Sequence, residues 1–123
     1  MRFIELHGTR VLACAPEGKK LLAERDAVEL IGETLGQEAG LVVIPAERFE
    51  DDFFRLRTGV AGAFLQKFVT YGVRVAILGD ISRHLEASSA LRDFVYESNR
   101  GRQIWFVGTE EDLRSRQLSS FNT

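Results

Sequence analysis

The sequence predicts a single α/β domain over residues 1–123, built on a five-stranded, mostly parallel sheet with four helices. Three observations carry this expectation. Short apolar runs at residues 41–44, 73–78 and 104–107 alternate with stretches whose apolar residues recur at helical spacing. The first of these runs is apolar throughout, the mark of a strand covered on both faces. A chain of 123 residues with 45% apolar residues has the size and composition of one ordinary domain.

The elements follow in order. Residues 3–6 and 11–15 read as two strands, joined at Gly8-Thr9 into an antiparallel hairpin. Asp26, with Glu29 three residues on, is the expected cap of a first helix, along which Val28, Ile31 and Leu35 recur until Gly40 ends it. Residues 41–44 form the next strand, closed by Pro45, and a loop runs to residue 57. A second helix carries the stripe Val60, Ala61, Phe64, Leu65 and Phe68, with Thr58 as its expected N-cap and Gly72 as its stop. Residues 73–78 are the strongest strand, closed by Gly79-Asp80. Ser88 or Ser89 caps a third helix that turns Leu91, Phe94 and Val95 inward and stops at Asn99-Arg100-Gly101. Residues 104–107 make the last strand, and Thr109 with Asp112 caps a terminal helix. The order is ββαβαβαβα. The expected core is Ile4, Leu12, Val28, Ile31, Val43, Phe64, Leu65, Phe68, Val75, Ile77, Leu91, Phe94, Ile104 and Phe106.

Charge and composition exclude several classes. A net charge of -2 draws the molecule neither to nucleic acid nor to an acidic membrane. No apolar run approaches the roughly 20 residues of a spanning helix. The first residues carry no long apolar signal region, so a cytoplasmic location is expected. Cys14 is the sole cysteine, which leaves no internal disulfide and no cysteine metal cage. Its apolar neighbours suggest an inert buried thiol.

In a parallel sheet, ligands and partners meet the loops at the carboxyl ends of the strands. Here those are residues 45–57, 79–88 and 108–110. Glu50-Asp51-Asp52 are three adjacent carboxylates, which converge poorly on a cation and suit a solvated turn, so no metal is assigned. Phe53-Phe54 is either a patch for a partner or part of the core. Gly59 and Gly62 at the start of the second helix suggest that something comes close to the backbone there: a strand, a partner chain or a ligand. The free N–H groups of that helix start also favour an anion, with Arg55 or Arg57 to help. Asp80, Ser82 and His84 lie within five residues, whereas a nucleophilic triad draws its members from separate elements. An ordinary turn is the expectation, with no catalytic residue and no cofactor assigned. Gln66 and Lys67 fall on the outer face of the second helix, solvated or in contact with a partner.

The words Phe53-Phe54-Arg55-Leu56-Arg57-Thr58-Gly59-Val60-Ala61-Gly62 and Leu65-Gln66-Lys67-Phe68, with Ala76-Ile77-Leu78-Gly79-Asp80, Phe94 to Asn99 and Trp105-Phe106-Val107, resemble a bacterial family. It is the family catalogued as domain of unknown function 4180, and the likeness covers almost the whole chain. It implies no mechanism. The element order also resembles STAS domains, found in anti-sigma factor antagonists and sulfate-transporter tails. In that family an Asp-Ser-x-Gly loop after the third strand is phosphorylated on its Ser or Thr to release a partner. Thr58 before Gly59 occupies that place, so the resemblance implies Thr58 as a phosphosite. Leu56 stands where the family has its Asp.

The expectation is therefore a non-enzymatic, partner-binding regulatory module. Its working surface comprises Phe53, Phe54, Arg57, Thr58, Gly59 and Gly62, with Gln66, Lys67, Asp80 and Ser82. The partner is a protein or a second copy of the chain. The alternative is a small enzyme, or an anion- or nucleotide-binding domain, that uses the helix start at residues 58–62.

Overall fold

The chain opens with a hairpin of β1 (Arg2–Leu6) and β2 (Thr9–Ala13), paired antiparallel from Arg2 opposite Ala13 to Leu6 opposite Thr9. His7 and Gly8 make the two-residue turn, both at positive φ (48° and 85°), one residue earlier than the sequence suggested. That conformation matches the twist of the flanking strands. β3 (Leu41–Pro45), β4 (Arg74–Leu78) and β5 (Ile104–Val107) then add in parallel, so the five strands lie in chain order. The structure, a computed structural model, describes the backbone of residues 2–122 and the side chains of residues 2–117.

Parallel neighbours laid down in sequence need crossovers of one hand, and these put every connecting helix on the same face. α1 (Glu24–Gly36), α3 (Val60–Tyr71) and α5 (Ser89–Arg100) fill these crossovers. They pack on Val42, Ile44, Val75, Ile77 and Phe106, the side chains that strand alternation sends to that face. The opposite face, with Val11, Leu41, Val43, Ala76, Trp105 and Val107, meets Leu113 of α6 (Glu110–Asn122). Gln117 of the same helix is buried there. Its amide nitrogen donates to Thr9 Oγ1 at 2.7 Å, and its oxygen accepts from Arg74 at 3.2 Å. The Arg74 guanidinium in turn lies over the Trp105 ring, 4.7 Å from its centre.

Two further helices, α2 (Asp51–Phe54) and α4 (Ser82–Ala87), interrupt the loops expected after β3 and β4. Four long helices and the five-stranded sheet agree with the expected fold class. The first helix does not follow its expected face. Asp26 is its third residue rather than its cap, and its carboxylate reaches back to the N–H groups of Leu22 and Ala23 at 2.8 and 3.1 Å. The buried face is Ala27, Leu30, Ile31 and Thr34, and Val28 and Leu35 stand exposed. Thr34 is tolerated inside because its hydroxyl donates to the Leu30 carbonyl at 2.7 Å. The helix ends at Gly36, before Gly40. At the starts of α5 and α6 the sequence reading holds: Ser88 accepts from the Leu91 N–H at 3.1 Å, and Thr109 from that of Asp112 at 3.1 Å.

The remaining expected core residues are buried except Ile4, Phe94 and Ile104, which are half-buried against it. Phe64 and Phe68 are 1% and 0% exposed at the centre of the helical face. Truncating either to Ala should cost about 3–5 kcal/mol. The same truncation at exposed Val28 should change stability by less than about 0.5 kcal/mol. Denaturant unfolding of the three variants checks both statements, and equal losses at all three positions would contradict this assignment of faces.

Candidate functional site

The chain leaving β3 is pinned at once. A single turn, Ala46–Arg48, follows Pro45. The Arg48 guanidinium donates to the carbonyls of Ala15 and Lys19 at 2.8 and 3.0 Å, tying the turn to the loop after β2. On its other side Gly79, at φ 148°, comes so close that an added Cβ would stand 2.9 Å from that of Ala46. Only glycine satisfies both the backbone angle and the contact.

Beyond this turn, phenylalanines anchor the segment. Phe49 stacks on Phe53 with ring centres 3.9 Å apart, and Phe64 meets both edge-on at 5.3 and 5.8 Å. Phe53 and Phe54 are 2% and 4% exposed. They are core residues, and the expected use of the pair as a free patch for a partner is corrected on that ground. Phe54 nevertheless shapes the site, because its outer face stacks on the His84 imidazole at 4.5 Å.

Between the segments after β3 and β4 lies a cleft with two lobes of about 420 and 520 Å³. The lobes share Asp51, Phe54, Arg83 and His84. Arg55, Arg57 and Ser88 border the larger one and Asp80 the smaller. Asp51 is the electrostatic hub. Its carboxylate accepts from Arg83 at 2.9 Å and stands 3.8 Å from His84 Nε2. The Arg83 guanidinium holds the Asp51 carboxyl below the usual carboxylate range. Burial pushes the His84 imidazole below its ordinary value, and neighbouring Arg83 adds to the effect against the smaller pull of Asp51. Arg55 pairs with Asp52 at 3.0 Å. Among the described residues, Arg57 makes no hydrogen bond or ion pair.

The family described as Domain of unknown function (DUF4180) matches residues 6–117. The chain belongs to this family. No curated protein and no solved structure matches it. The DUF4180 match runs from the end of β1 into α6, so every residue of the cleft lies inside it.

Within this DUF4180 domain the site residues expected from the sequence separate into two groups. Phe54, Arg57 and Asp80 line the cleft, and Ser82 lies beside it, its N–H donating to Asp80 Oδ1 at 2.9 Å. The Ser82 hydroxyl, and after it this N–H, hold Asp80 below the usual carboxylate range. Thr58 closes the turn Leu56–Thr58 rather than capping α3, whose N-cap is Gly59 at φ 79°. The Thr58 hydroxyl lies 2.8 Å from the carbonyl oxygens of both Asp52 and Arg55 and accepts from the Val60 N–H at 3.3 Å. Gly62 faces open space, as does Gly59, so the close approach expected at these glycines does not occur within the chain. Exposed Gln66, 3.5 Å from Thr70 Oγ1, and half-buried Lys67 line neither lobe of the cleft. Arg83 is not singled out by the sequence, which reads Asp51 as part of a solvated turn and His84 as part of an ordinary one. The one signal for them was that β3 and β4 are neighbours, which brings the loops that follow them together.

Two outcomes follow from this geometry. The folded state disfavours His84 protonation, so the unfolded chain binds more protons near pH 6 and stability falls as pH drops below about 6.5. Replacing His84 by Asn should flatten the fall in Tm between pH 7 and 5. An unchanged slope would contradict the burial of the imidazole. Thr58→Ala should lose about 1 kcal/mol, read by denaturant unfolding, because the turn loses its hydroxyl bonds.

Proposed function

We propose that this domain is a non-enzymatic regulatory module that docks an acidic segment of a protein partner in the cleft walled by Arg55, Arg57, Arg83 and the stacked pair Phe54 and His84. The observation that supports it most is the charge of the larger lobe, where Arg55, Arg57 and Arg83 face a single lining carboxylate, Asp51. Arginine forks suit carboxylate and phosphate groups. Phe54, Leu56, Ala87 and Ala90 supply an apolar bed beside them. The order of long elements, set apart from the two short helices, resembles that of STAS domains, and this analogy of order supports a regulatory reading without naming a partner.

A phosphate on exposed Thr58 would act on the same surface. It would exchange the bonds to the Asp52 and Arg55 carbonyls for charge placed beside Arg55 and Arg57, in competition with an acidic partner. The same cations favour a second reading, a small free anion or nucleotide as the ligand of the cleft.

A double charge reversal, Arg55→Glu with Arg57→Glu, separates these readings. Proteins captured from a lysate of the source organism should be lost by the variant and by Thr58→Glu, but kept by Thr58→Ala. They should also weaken steeply with salt. Identical capture by wild type and the double variant would overturn the docking surface. Saturable thermal stabilisation by inorganic phosphate or nucleotide, without protein capture, would establish the small anion instead.

A further inference from the structure

The opposite face of the sheet holds a second pocket at the carboxyl ends of the strands, of about 420 Å³. Its origin is geometric. α6 starts beside the end of β5 and reaches Thr9 and Arg74, at the amino ends of β2 and β4, through Gln117. The other end of this face, over β1, β2 and β3, is left without a helix. The floor there is shallow because short side chains, Ala13 and Val43, face it. Ile4 forms one wall, Leu113 the other, and Leu78 the far end. This is an apolar concavity of the size that holds small molecules.

Four charged side chains stand at its mouth: Arg2, Arg114, Glu47 and Glu110. All four residues are exposed, and among the described residues none of these side chains makes a hydrogen bond or ion pair. Two cations and two carboxylates therefore surround an apolar pocket without pairing one another. A purely anionic ligand would meet the two carboxylates, and a purely cationic one the two guanidiniums. A molecule carrying both signs satisfies both.

We propose that this pocket binds a small zwitterion with a compact apolar body, the chemistry of a large apolar amino acid. The body fills the space between Ile4 and Leu113. The carboxylate is met by Arg2 and Arg114, and the ammonium by Glu47 and Glu110. The pocket opens on the sheet face away from Arg55, Arg57 and His84, so it is a site separate from the cleft described above.

The test is calorimetric titration and thermal shift of the full chain with L-tryptophan, L-phenylalanine and L-leucine. Tryptamine and indole-3-propionate serve as the singly charged counterparts of tryptophan. At least one of the amino acids should bind saturably. If it is tryptophan, each singly charged analogue should bind at least tenfold more weakly. Ala13→Leu, which fills the floor, should abolish binding. Arg114→Glu, on the exposed rim, should weaken it at least tenfold with the unliganded Tm unchanged, and it decides the matter should the first variant misfold. The Arg55→Glu, Arg57→Glu variant should bind as wild type does. No saturable binding by any of the three amino acids, equal binding of the singly charged analogues, or indifference to Arg114→Glu would each overturn the proposal.

Discussion

Parallel strands placed in chain order, each beside the last, are joined by crossovers of one hand, and the connecting helices have no choice of face. α1, α3 and α5 therefore crowd one side of this sheet, where Phe64, Phe68 and Leu65 meet Val42, Ile44, Val75 and Ile77 in a continuous core. The other side is left to the one helix that follows the last strand. Most of the molecule's individuality comes from that imbalance. The helical face is closed by large rings. The far face is closed at one end by Leu113 and a buried amide, Gln117, and stays hollow at the other. A buried polar group is retained only where its hydrogen bonds are met. Gln117 meets them by joining Thr9 and Arg74, which locates α6 on the sheet more specifically than apolar contact would.

The cleft on the helical side depends on the same crowding. α2 and its following turn are too short to be stable alone. They stand because Phe53 packs edge-on against Phe64 of α3, and Phe49, from the turn before α2, stacks on Phe53 and meets the same ring. This inserts one face of the segment and leaves Asp51, Arg55 and Arg57 on the outside, against α4. Ion pairs between such exposed groups contribute little to stability. The Arg83 and Asp51 pair, half or more exposed on both sides, is thus poorly explained as a stabilising device and is free to exchange partners. His84 differs. Its ring is packed on Phe54, its side chain 15% exposed, and its neutral form is what the fold prefers.

Strands were legible in the sequence where both faces are buried, because an unbroken apolar run such as Leu41 to Ile44 admits few other readings. Helix ends were legible where a side chain caps them, as at Ser88 and Thr109. The register of α1 was not. Its buried face contains a threonine and an alanine, which carry little apolar signal, and Val28 and Leu35 on the outside carry more. The stretch from Glu50 to Thr58 reads as a loop because four residues are too few to show a helical period, yet it holds two of the most buried rings. Thr58 was placed correctly beside a helix start, and its hydroxyl does accept the Val60 N–H of the first turn, but the N-cap position itself is Gly59. A left-handed Gly59 between it and α3 turns its hydroxyl back onto the preceding turn. The site itself was legible as a pair of loops and not as a set of residues. Stacking of His84 on Phe54, thirty positions earlier in the chain, is a tertiary fact with no local signature.

The two concavities sit on opposite faces at the same end of the sheet, and the turn after β3 stands between them. Glu47 borders the apolar pocket and the smaller lobe of the cleft, with Pro45 on one side and Ala46 on the other. A ligand on one side changes affinity on the other only through an element with two arrangements that both sites bias. This turn has little room for a second arrangement. Arg48 fixes it to two carbonyls of the preceding loop, and Gly79 presses against Ala46 at a distance that no other residue would allow. Moving it would break those bonds and open that contact together. The wall is therefore a partition and not a lever, and each side of the sheet offers its ligand a surface set by its own residues.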